Sequence, residues 1–211
     1  MRALIELGGE RPGAALLAQC AAQSDFVIAA DSGLEAFEES GVTPDLLVGD
    51  MDSVAADVLA RYEGCVPQHR LNCIKDDTDG VDAVDLALAR GAQEITLLGA
   101  LGGRLDHALA NVMLLVRAHR RGAKARILAE DVEIVRVDGE MALEGAQGDT
   151  VSLLPLGQAQ GVTLEGFFYP LEGRTLTSDY PLGVSNVVTK ERALVRVREG
   201  DLILFHYRMP A

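Results

Sequence analysis

The chain contains no tryptophan, and aromatic residues of all kinds make up only 4% of its 211 residues. Its three cysteines, Cys20, Cys65 and Cys73, are widely spaced and form no Cys-x-x-Cys pair. An odd number of scattered cysteines is not typical of a zinc site or of a disulfide framework. The cysteine content therefore fits a protein of the reducing cytoplasm, which is where we expect this chain to be.

Long apolar runs and an excess of basic residues are also absent. No stretch approaches the roughly 18 apolar residues of a membrane span, and Glu6 interrupts the first apolar run too early for a signal peptide. Lys and Arg number 19 against 32 Asp and Glu, which gives a net charge of −13. A nucleic-acid-binding groove needs a basic surface. We therefore expect neither a nucleic acid nor a membrane as a partner.

The first part of the chain alternates short apolar runs with longer amphipathic segments. The predicted strands are residues 3–7, 26–30, 45–48, 66–72, 95–98 and 125–129, and the predicted helices are residues 12–22, 32–40, 54–62, 79–89 and 105–121. Ser32 and Glu35 have the spacing of a capping box at the start of the second helix. Strand–helix alternation with short connections predicts an α/β domain with a mainly parallel sheet over residues 1–127.

Residues 128–211 have a different pattern, with short strand-like runs separated by turn residues and no helical periodicity of useful length. The predicted strands here are residues 132–137, 141–143, 150–154, 162–164, 184–189, 194–197 and 202–207. This pattern predicts a second, antiparallel all-β domain, either a sandwich or a barrel.

Acidic residues follow several predicted strands of the first domain. The strand at residues 45–48 runs into Asp50 and Asp52, which would point the same way if the backbone stayed extended. Asp31 follows another strand, and Asp79 begins a helix. Ligands bind beyond the carboxyl ends of parallel strands, and converging carboxylates suit Mg²⁺ together with phosphate oxygens. The alternative is a set of solvated turns and helix caps.

A glycine-rich turn at residues 99–107 supplies a second kind of group. Gly102 and Gly103 would let backbone N–H groups approach a phosphate at the start of a helix, and Arg104 is placed for a bidentate phosphate contact. No Gly-Lys-Ser/Thr follows, so this is not a Walker A loop. His107 is either a base or a plain polar contact at the helix start.

Taken in order, five segments of the chain resemble the thiamine pyrophosphokinase family. They are Ala30-Asp31-Ser32-Gly33, Pro44-Asp45 through Gly49-Asp50-Met51-Asp52-Ser53, Lys75-Asp76-Asp77-Thr78-Asp79, residues 99–107 with Asn111, and residues 166–171 with Leu182-Gly183-Val184-Ser185-Asn186. The resemblance implies an α/β catalytic domain that binds ATP and Mg²⁺, at residues 1–127, and a thiamine-binding β-sandwich at residues 128–211. It also implies a homodimer with active sites between subunits, and transfer of pyrophosphate from ATP to the hydroxyl of thiamine, giving thiamine diphosphate and AMP.

The resemblance also assigns roles to residues. The implied Mg²⁺ ligands are Asp31, Asp50, Asp52 and Asp79. The implied nucleotide contacts are Asp31, Ser32, Lys75, Thr78, Gly102, Gly103, Arg104 and His107, and the implied thiamine contacts are Asp106, Asn111, Ser185 and Asn186. The implied catalytic residues are Asp50, Asp52, Asp79, Arg104 and Asp106. Without tryptophan, stacking on the thiamine ring falls to Phe167, Phe168 or Tyr169. Asp82 stands where the family commonly has a basic or apolar residue.

Two other functions fit the same residues. One is transfer of phosphate or pyrophosphate from a nucleotide to a different small hydroxylated acceptor. The other is a catalytically silent module that binds a nucleotide or thiamine diphosphate. A complete set of acidic residues favours an enzyme, because a binding module does not need every metal ligand. Formation of AMP with and without thiamine would separate these functions.

Overall fold

The computed structural model describes residues 1–70 and 78–209. Cys73, Lys75, Asp76 and Asp77, and with them the predicted nucleotide contact of Lys75, lie outside the described residues. The chain forms two compact units, Met1–Glu130 and Asp131–Ala211. The sequence predicts the boundary after residue 127, and the structure divides the chain after Glu130.

The first unit contains a six-stranded sheet in the order β4-β3-β2-β1-β5-β6. Its strands are β1 Arg2–Glu6, β2 Phe26–Ala30, β3 Leu46–Gly49, β4 Gln68–Arg70, β5 Glu94–Leu98 and β6 Lys124–Leu128. Each pair of neighbours in this sheet is parallel. Strands β2 and β3 are buried except at the partly exposed Phe26, which explains their continuous apolar sequences. The predicted parallel α/β domain is confirmed.

The helices of this unit are α1 Ala14–Ala22, α2 Phe37–Ser40, α3 Ala56–Tyr62, α4 Asp79–Ala89 and α5 Leu105–Arg120. Helix α4 has a side-chain cap, because the Thr78 hydroxyl accepts a hydrogen bond from the Val81 N–H at 3.4 Å. The predicted capping box at Ser32 and Glu35 is wrong. Residues Asp31–Ala36 form a 3-10 turn without a side-chain cap, and α2 begins only at Phe37.

The direction of strand addition reverses beside β1. The chain proceeds outward from β1 through β2 and β3 to β4, and α4 then returns it to β5 on the other side of β1. A crevice opens at such a reversal, beyond the carboxyl ends of the two diverging strands. The turns that follow β1, β2, β3 and β5 therefore meet at one edge of the sheet.

The second unit is antiparallel throughout its described strand pairs. Its strands are β7 Val132–Val137, β8 Glu140–Glu144, β9 Thr150–Glu165, β10 Leu171–Thr177, β11 Asn186–Val187, β12 Arg192–Arg196 and β13 Glu199–Tyr207. The first half of β9 pairs with β13 and β11, and its second half pairs with β10 and β12. Gly157, with φ 84°, lies where β9 passes from one sheet to the other. The predicted β-sandwich is confirmed.

The lengths of several strands in this unit differ from the prediction. Residues 150–154 and 162–164 belong to the single strand β9, and the predicted strand at residues 184–189 is reduced to the two residues of β11. Strand β10 is not among the predicted strands, and its middle residues are exposed. An exposed strand that pairs at its edge lacks the apolar alternation by which strands are recognised.

Each unit has its own apolar core. In the first, Leu4, Leu17, Phe37 and Leu47 pack together, and in the second, residues of β9, β12 and β13 pack between the two sheets. Among residues 1–70 and 78–209, no helix is both long and apolar enough to cross a membrane.

Candidate active site

A cavity of about 620 Å³ lies at the edge of the first unit where the turns after β1, β2, β3 and β5 meet. The residues that line it include ten of the site residues predicted from the sequence, namely Asp31, Ser32, Thr78, Asp79, Gly102, Gly103, Arg104, Asp106, His107 and Asn111. These residues come from three separate stretches of the chain. The topology of the sheet therefore brings together groups that the sequence keeps far apart.

Three carboxylates form a cluster at this edge. One oxygen from each of Asp31, Asp50 and Asp52 lies within 4.8 Å of the others. Asp31 is partly buried directly after β2, and Asp50 and Asp52 are exposed after β3. Oxygens that share a Mg²⁺ ion at 2.0–2.1 Å are at most about 4 Å apart. Small side-chain movements would therefore let all three carboxylates contact one cation.

The reason that the sequence suggested for this convergence is wrong. The backbone does not stay extended after β3, because Met51 has φ 64° and turns the chain. The Asp52 N–H donates to Asp50 Oδ1 at 3.2 Å, and the Ser53 hydroxyl donates to Asp52 Oδ1 at 3.0 Å. These local bonds fold the turn so that both carboxylates face Asp31.

Asp79, in the first turn of α4, approaches the same cluster across Gly49. A Cβ atom added to Gly49 would lie 3.3 Å from both the Asp31 Cβ and the Asp79 Oδ1 atom. Gly49 has φ 131°, a conformation that L side chains rarely adopt. Glycine at the end of β3 therefore lets the Asp31 and Asp79 side chains come close to one another.

The electrostatics of the cluster reflect its crowding. Burial, and after it the charges of Asp31, Asp50 and Asp82, raise the pKa of Asp79 to about 6. Burial likewise raises the pKa of Asp31, although hydrogen bonds from Ser53 and from the Ser32 N–H act against this. Mutual repulsion of half-buried carboxylates therefore disfavours their ionised forms.

These residues fit a divalent cation of the magnesium type. The donor set consists of carboxylate oxygens, the ligands that Mg²⁺ prefers, and Asp31 Oδ1 is buried with no hydrogen-bond partner among residues 1–70 and 78–209. A cation would contact Asp31 Oδ1 and would offset the repulsion that, together with burial, raises the pKa of Asp79. Asp31, Asp50, Asp52 and Asp79 are the residues that could hold it.

The opposite side of the cavity is formed by the glycine-rich turn after β5. The turn after β1 packs into it, because the Gly9 N–H donates to the Gly99 carbonyl at 2.8 Å and the Glu10 N–H donates to the Leu101 carbonyl at 2.6 Å. A Cβ atom on Gly9 would lie 2.3 Å from the Leu101 carbonyl oxygen. Only glycine at position 9 allows these two turns to approach so closely, and a Cβ atom on Gly8, which also lines the cavity, would lie 1.8 Å from the Ser32 Oγ atom.

Arg104 and Asp106 pair with each other at the mouth of the cavity. Arg104 Nε donates to Asp106 Oδ1 at 3.1 Å, and Nη2 donates to Oδ2 at 2.6 Å. Both side chains are exposed, and the pair lowers the pKa of Asp106 and raises that of Arg104. The His107 N–H also donates to Asp106 Oδ1. This arrangement keeps a cationic and an anionic group side by side at the helix start.

Asn111 lies one turn and a half farther along α5, and its amide faces the inner wall of the cavity. Its Nδ2 donates to the Ala100 carbonyl at 2.9 Å, which ties α5 to the turn after β5. A Cβ atom on the buried Gly80 would lie 3.4 Å from Asn111 Oδ1. Asn111 therefore bridges the turn after β5 and the first turn of α4.

Ser185 and Asn186 belong to the second unit. Asn186 is buried, its Oδ1 accepts from the N–H groups of Tyr169 and Val187, and its Nδ2 donates to the Tyr169 carbonyl at 2.8 Å. Most of its amide is thus used to hold the turn at Tyr169. Ser185 is exposed and has φ 58°, which leaves its hydroxyl at the surface.

Of the three aromatic residues expected to stack on a ring, one is excluded by its burial. Phe167 is only 5% exposed and belongs to the core of the second unit, whereas Phe168 and Tyr169 are each 64% exposed. Their rings pack edge to face with centroids 4.8 Å apart. Phe168 and Tyr169 are therefore the aromatic side chains that this turn presents to solvent.

Some residues of the cavity were missing from the sequence-based site. Ser53, Leu7, Gly8 and Gly9 all line it. Ser53 lies in the same segment as Asp50 and Asp52, and a paired glycine directly after a strand is a usable signal for a ligand-facing turn. Leu7 gives no such signal, because only the fold places an apolar residue beside the carboxylates.

Comparisons with known proteins agree over both units. Residues 17–127 match the family model described as thiamin pyrophosphokinase, catalytic domain, and residues 134–202 match thiamin pyrophosphokinase, vitamin B1 binding domain. Thiamine pyrophosphokinase of Bacillus subtilis (strain 168) is 30% identical over 181 residues, which cover 84% of this chain and 85% of that protein. Thiamine pyrophosphokinase 1 of Oryza sativa subsp. japonica is 28% identical over 76% of this chain and 64% of its own length.

Solved structures give the same result. A crystal structure of thiamine pyrophosphokinase from Bacillus subtilis superposes with a TM-score of 0.87 at 25% identity and covers 100% of both chains. The crystal structure of yeast thiamin pyrophosphokinase has a TM-score of 0.82 and covers 99% of this chain and 86% of its own, and at 14% identity it supports the fold alone. Because both family models match and the Bacillus subtilis protein is 30% identical over most of both chains, the chain belongs to the thiamin pyrophosphokinase family.

Proposed function

We propose that this chain transfers the terminal pyrophosphate of ATP to the hydroxyl group of thiamine in a magnesium-dependent reaction. The observation that carries the proposal is that the Asp31, Asp50 and Asp52 carboxylates cluster beside Asp79, at a cavity lined by Asp31, Asp79, the glycine-rich turn and Arg104. Carboxylates that share a cation, facing N–H groups and a guanidinium, form a site for a triphosphate. Family membership supplies the thiamine acceptor.

Each side of the cavity has its own task in this reaction. The turn at Gly102 and Gly103 and the guanidinium of Arg104 bind the phosphates, with Ser32, Thr78 and His107 as further contacts. Bound Mg²⁺ neutralises the negative charge of the triphosphate. Lys75, predicted from the sequence to contact the phosphates, keeps that role as a prediction.

The reaction forms one bond and breaks another. The thiamine hydroxyl oxygen attacks the β-phosphorus, the bond from this phosphorus to the oxygen that bridges it to the α-phosphate breaks, AMP leaves with that oxygen, and the hydroxyl proton passes to solvent. Asp106 lies at the cavity mouth with Asn111 behind it, so it is placed to accept a hydrogen bond from the hydroxyl and to orient it. The low pKa of Asp106 suits a hydrogen-bond acceptor better than a strong base.

We further propose a homodimer in which the second copy supplies part of the thiamine site. Leu105, Leu109 and Met113, spaced four residues apart on α5, are 74%, 54% and 45% exposed, and they form an apolar stripe. In the second unit, Phe168 and Tyr169 are exposed. The hydrogen bond from the Tyr169 N–H to Asn186 Oδ1 holds them next to Ser185 and Asn186. Apolar stripes of this kind are typical of interfaces.

The cytoplasm is the proposed compartment.

A coupled assay for AMP tests the proposed activity on the whole chain. We expect AMP to form from ATP only when both thiamine and magnesium are present, with thiamine diphosphate in equal amount. AMP release that ignores thiamine, or ADP in place of AMP, would refute the proposal. Thiamine bound tightly without turnover would favour a silent binding module instead.

Asp52→Asn provides the matching variant. Its carboxylate is exposed and contributes nothing to the core, so the circular dichroism spectrum and the unfolding midpoint should stay close to those of the unaltered protein. Loss of one ligand charge weakens magnesium binding, and turnover should fall by about 100-fold or more. Asp57→Asn, which changes an acidic residue in the first turn of α3, is the control and should keep full activity.

A further inference from the structure

Glu35 lies in the 3-10 turn that follows Asp31, and its carboxylate contacts two other turns. Its Oε1 accepts a hydrogen bond from the Ala55 N–H at 3.1 Å, and its Oε2 forms an ion pair with Arg11 from the turn after β1. The side chain is 19% exposed, so solvent competes little for these bonds. Three turns at the edge of the sheet are thereby joined at one carboxylate.

The bond to Ala55 fixes the far end of the turn that carries Asp50 and Asp52. This turn begins at the end of β3, and Ala55 is the residue at which α3 starts, since its carbonyl accepts from the N–H groups of Val58 and Leu59. Glu35, four residues after Asp31, holds this end against the segment of Asp31. The distance between Asp31 and the pair Asp50 and Asp52 therefore depends on a residue that ligates nothing.

We propose that Glu35 is a positioning residue for the acidic cluster, and that its hydrogen bond to the Ala55 N–H sets the separation of Asp31 from Asp50 and Asp52 for magnesium. Outer-shell partners of metal ligands orient the ligands and strengthen binding, because the site then needs no reorganisation when the cation arrives. This inference rests on the proposed function of the cluster as a magnesium site.

Four variants of the full chain separate this role from a general effect on stability. Glu35→Ala removes both contacts, whereas Glu35→Gln keeps an oxygen that accepts from the Ala55 N–H and loses only the charge facing Arg11. Ala55→Pro removes the donor instead of the acceptor, and the φ of −58° at Ala55 suits proline. Glu38→Ala is the control, since Glu38 lies in the neighbouring α2 and its carboxylate pairs with Arg61 of α3.

Binding of Mn²⁺, measured by electron paramagnetic resonance as loss of the free-ion signal, reports on the cluster without any catalysis. We expect Glu35→Ala and Ala55→Pro to raise the dissociation constant for Mn²⁺ about tenfold, and Glu35→Gln and Glu38→Ala to stay within about twofold of the unaltered chain. The magnesium concentration for half-maximal AMP formation should shift by the same factor, and saturating magnesium should restore kcat.

Several results would overturn the inference. Unchanged Mn²⁺ binding in Glu35→Ala, an equal shift in Glu38→Ala, or unchanged binding in Ala55→Pro would each show that this hydrogen bond does not set the site. A fall in kcat that saturating magnesium does not restore would do the same. Failure of the unaltered chain to bind Mn²⁺ would refute the magnesium site itself. Normal Mn²⁺ binding by both the unaltered chain and the variants would refute only the role of Glu35.

Discussion

Asp79 is expected to lower the stability of the metal-free protein at neutral and alkaline pH. Burial and the charges of Asp31, Asp50 and Asp82 raise its pKa from 3.8 to about 6. The folded protein therefore keeps a proton on Asp79 that the unfolded chain releases at lower pH. Stability consequently falls as the pH rises from about 4 through 6, and Asp79→Asn, which cannot ionise, should escape this loss.

The size of the effect follows from the shift. A change from 3.8 to about 6 corresponds to about 3 kcal/mol at 1.36 kcal/mol per pKa unit. Because Asp79 is only half-buried, solvent screening reduces this to about 1–2 kcal/mol. Loss of a charge at the first turn of α4 removes about 0.3–1 kcal/mol of helix-dipole stabilisation in the opposite direction.

Urea unfolding in the presence of a chelator measures this difference. Asp57→Asn, also in the first turn of a helix but outside the cluster, corrects for the helix dipole. Relative to this control, Asp79→Asn should be about 1–2 kcal/mol more stable at pH 8 and no more stable at pH 4. Added magnesium should stabilise the unaltered protein and so reduce the difference in unfolding free energy between it and Asp79→Asn.

Two results would refute this reasoning. The first is an Asp79→Asn variant that is no more stable than its control at pH 8, since neither burial nor repulsion would then disfavour the ionised Asp79 carboxylate. The second is an equal gain at pH 4 and pH 8, since the effect would then come from packing and not from ionisation. The gain in stability of Asp79→Asn should accompany a loss of magnesium binding, because the Asp79 carboxylate that destabilises the metal-free protein is also a proposed ligand of magnesium.

Four other substitutions test the glycine-rich turn, strand β1 and the second unit. Gly99→Ala should cost about 3 kcal/mol or more in urea unfolding, because φ is 59° and the new Cβ would lie 1.9 Å from the Leu7 carbonyl oxygen and 2.2 Å from Glu6 Oε1. A Cβ on Gly103 meets no atom of the described residues within 4 Å, so Gly103→Ala should cost only about 1–2 kcal/mol. Glu6→Gln should stabilise the protein at pH 8 and not at pH 4, because burial raises the pKa of Glu6 well above its ordinary value. Asn186→Ala should cost about 2–4 kcal/mol by leaving the N–H and carbonyl groups of Tyr169 unpaired, which thermal unfolding would detect.

Much of the fold could be predicted because local pattern and tertiary environment agree. The strand Phe26–Ala30 is apolar throughout and is buried between parallel neighbours, and the strand Val132–Val137 was also found with its observed bounds. The sequence-based prediction was wrong where a tertiary contact, and not the local sequence pattern, determined the structure. Glu35 has the spacing of a cap but bonds to Ala55, and β9 continues across Gly157 because strands of both sheets pair with it.

For the active site, the sequence by itself determined which groups are available, namely carboxylates after β2 and β3, an acidic first turn in α4, and a glycine-rich turn with an arginine after β5. Only the tertiary structure decided that Asp31, Asp50 and Asp52 lie within 4.8 Å, that Asp79 has a pKa of about 6, and that Glu35 holds their turns together. Distances and charges between residues far apart in the chain depend on how strands and turns pack, and no local pattern of residues contains that information.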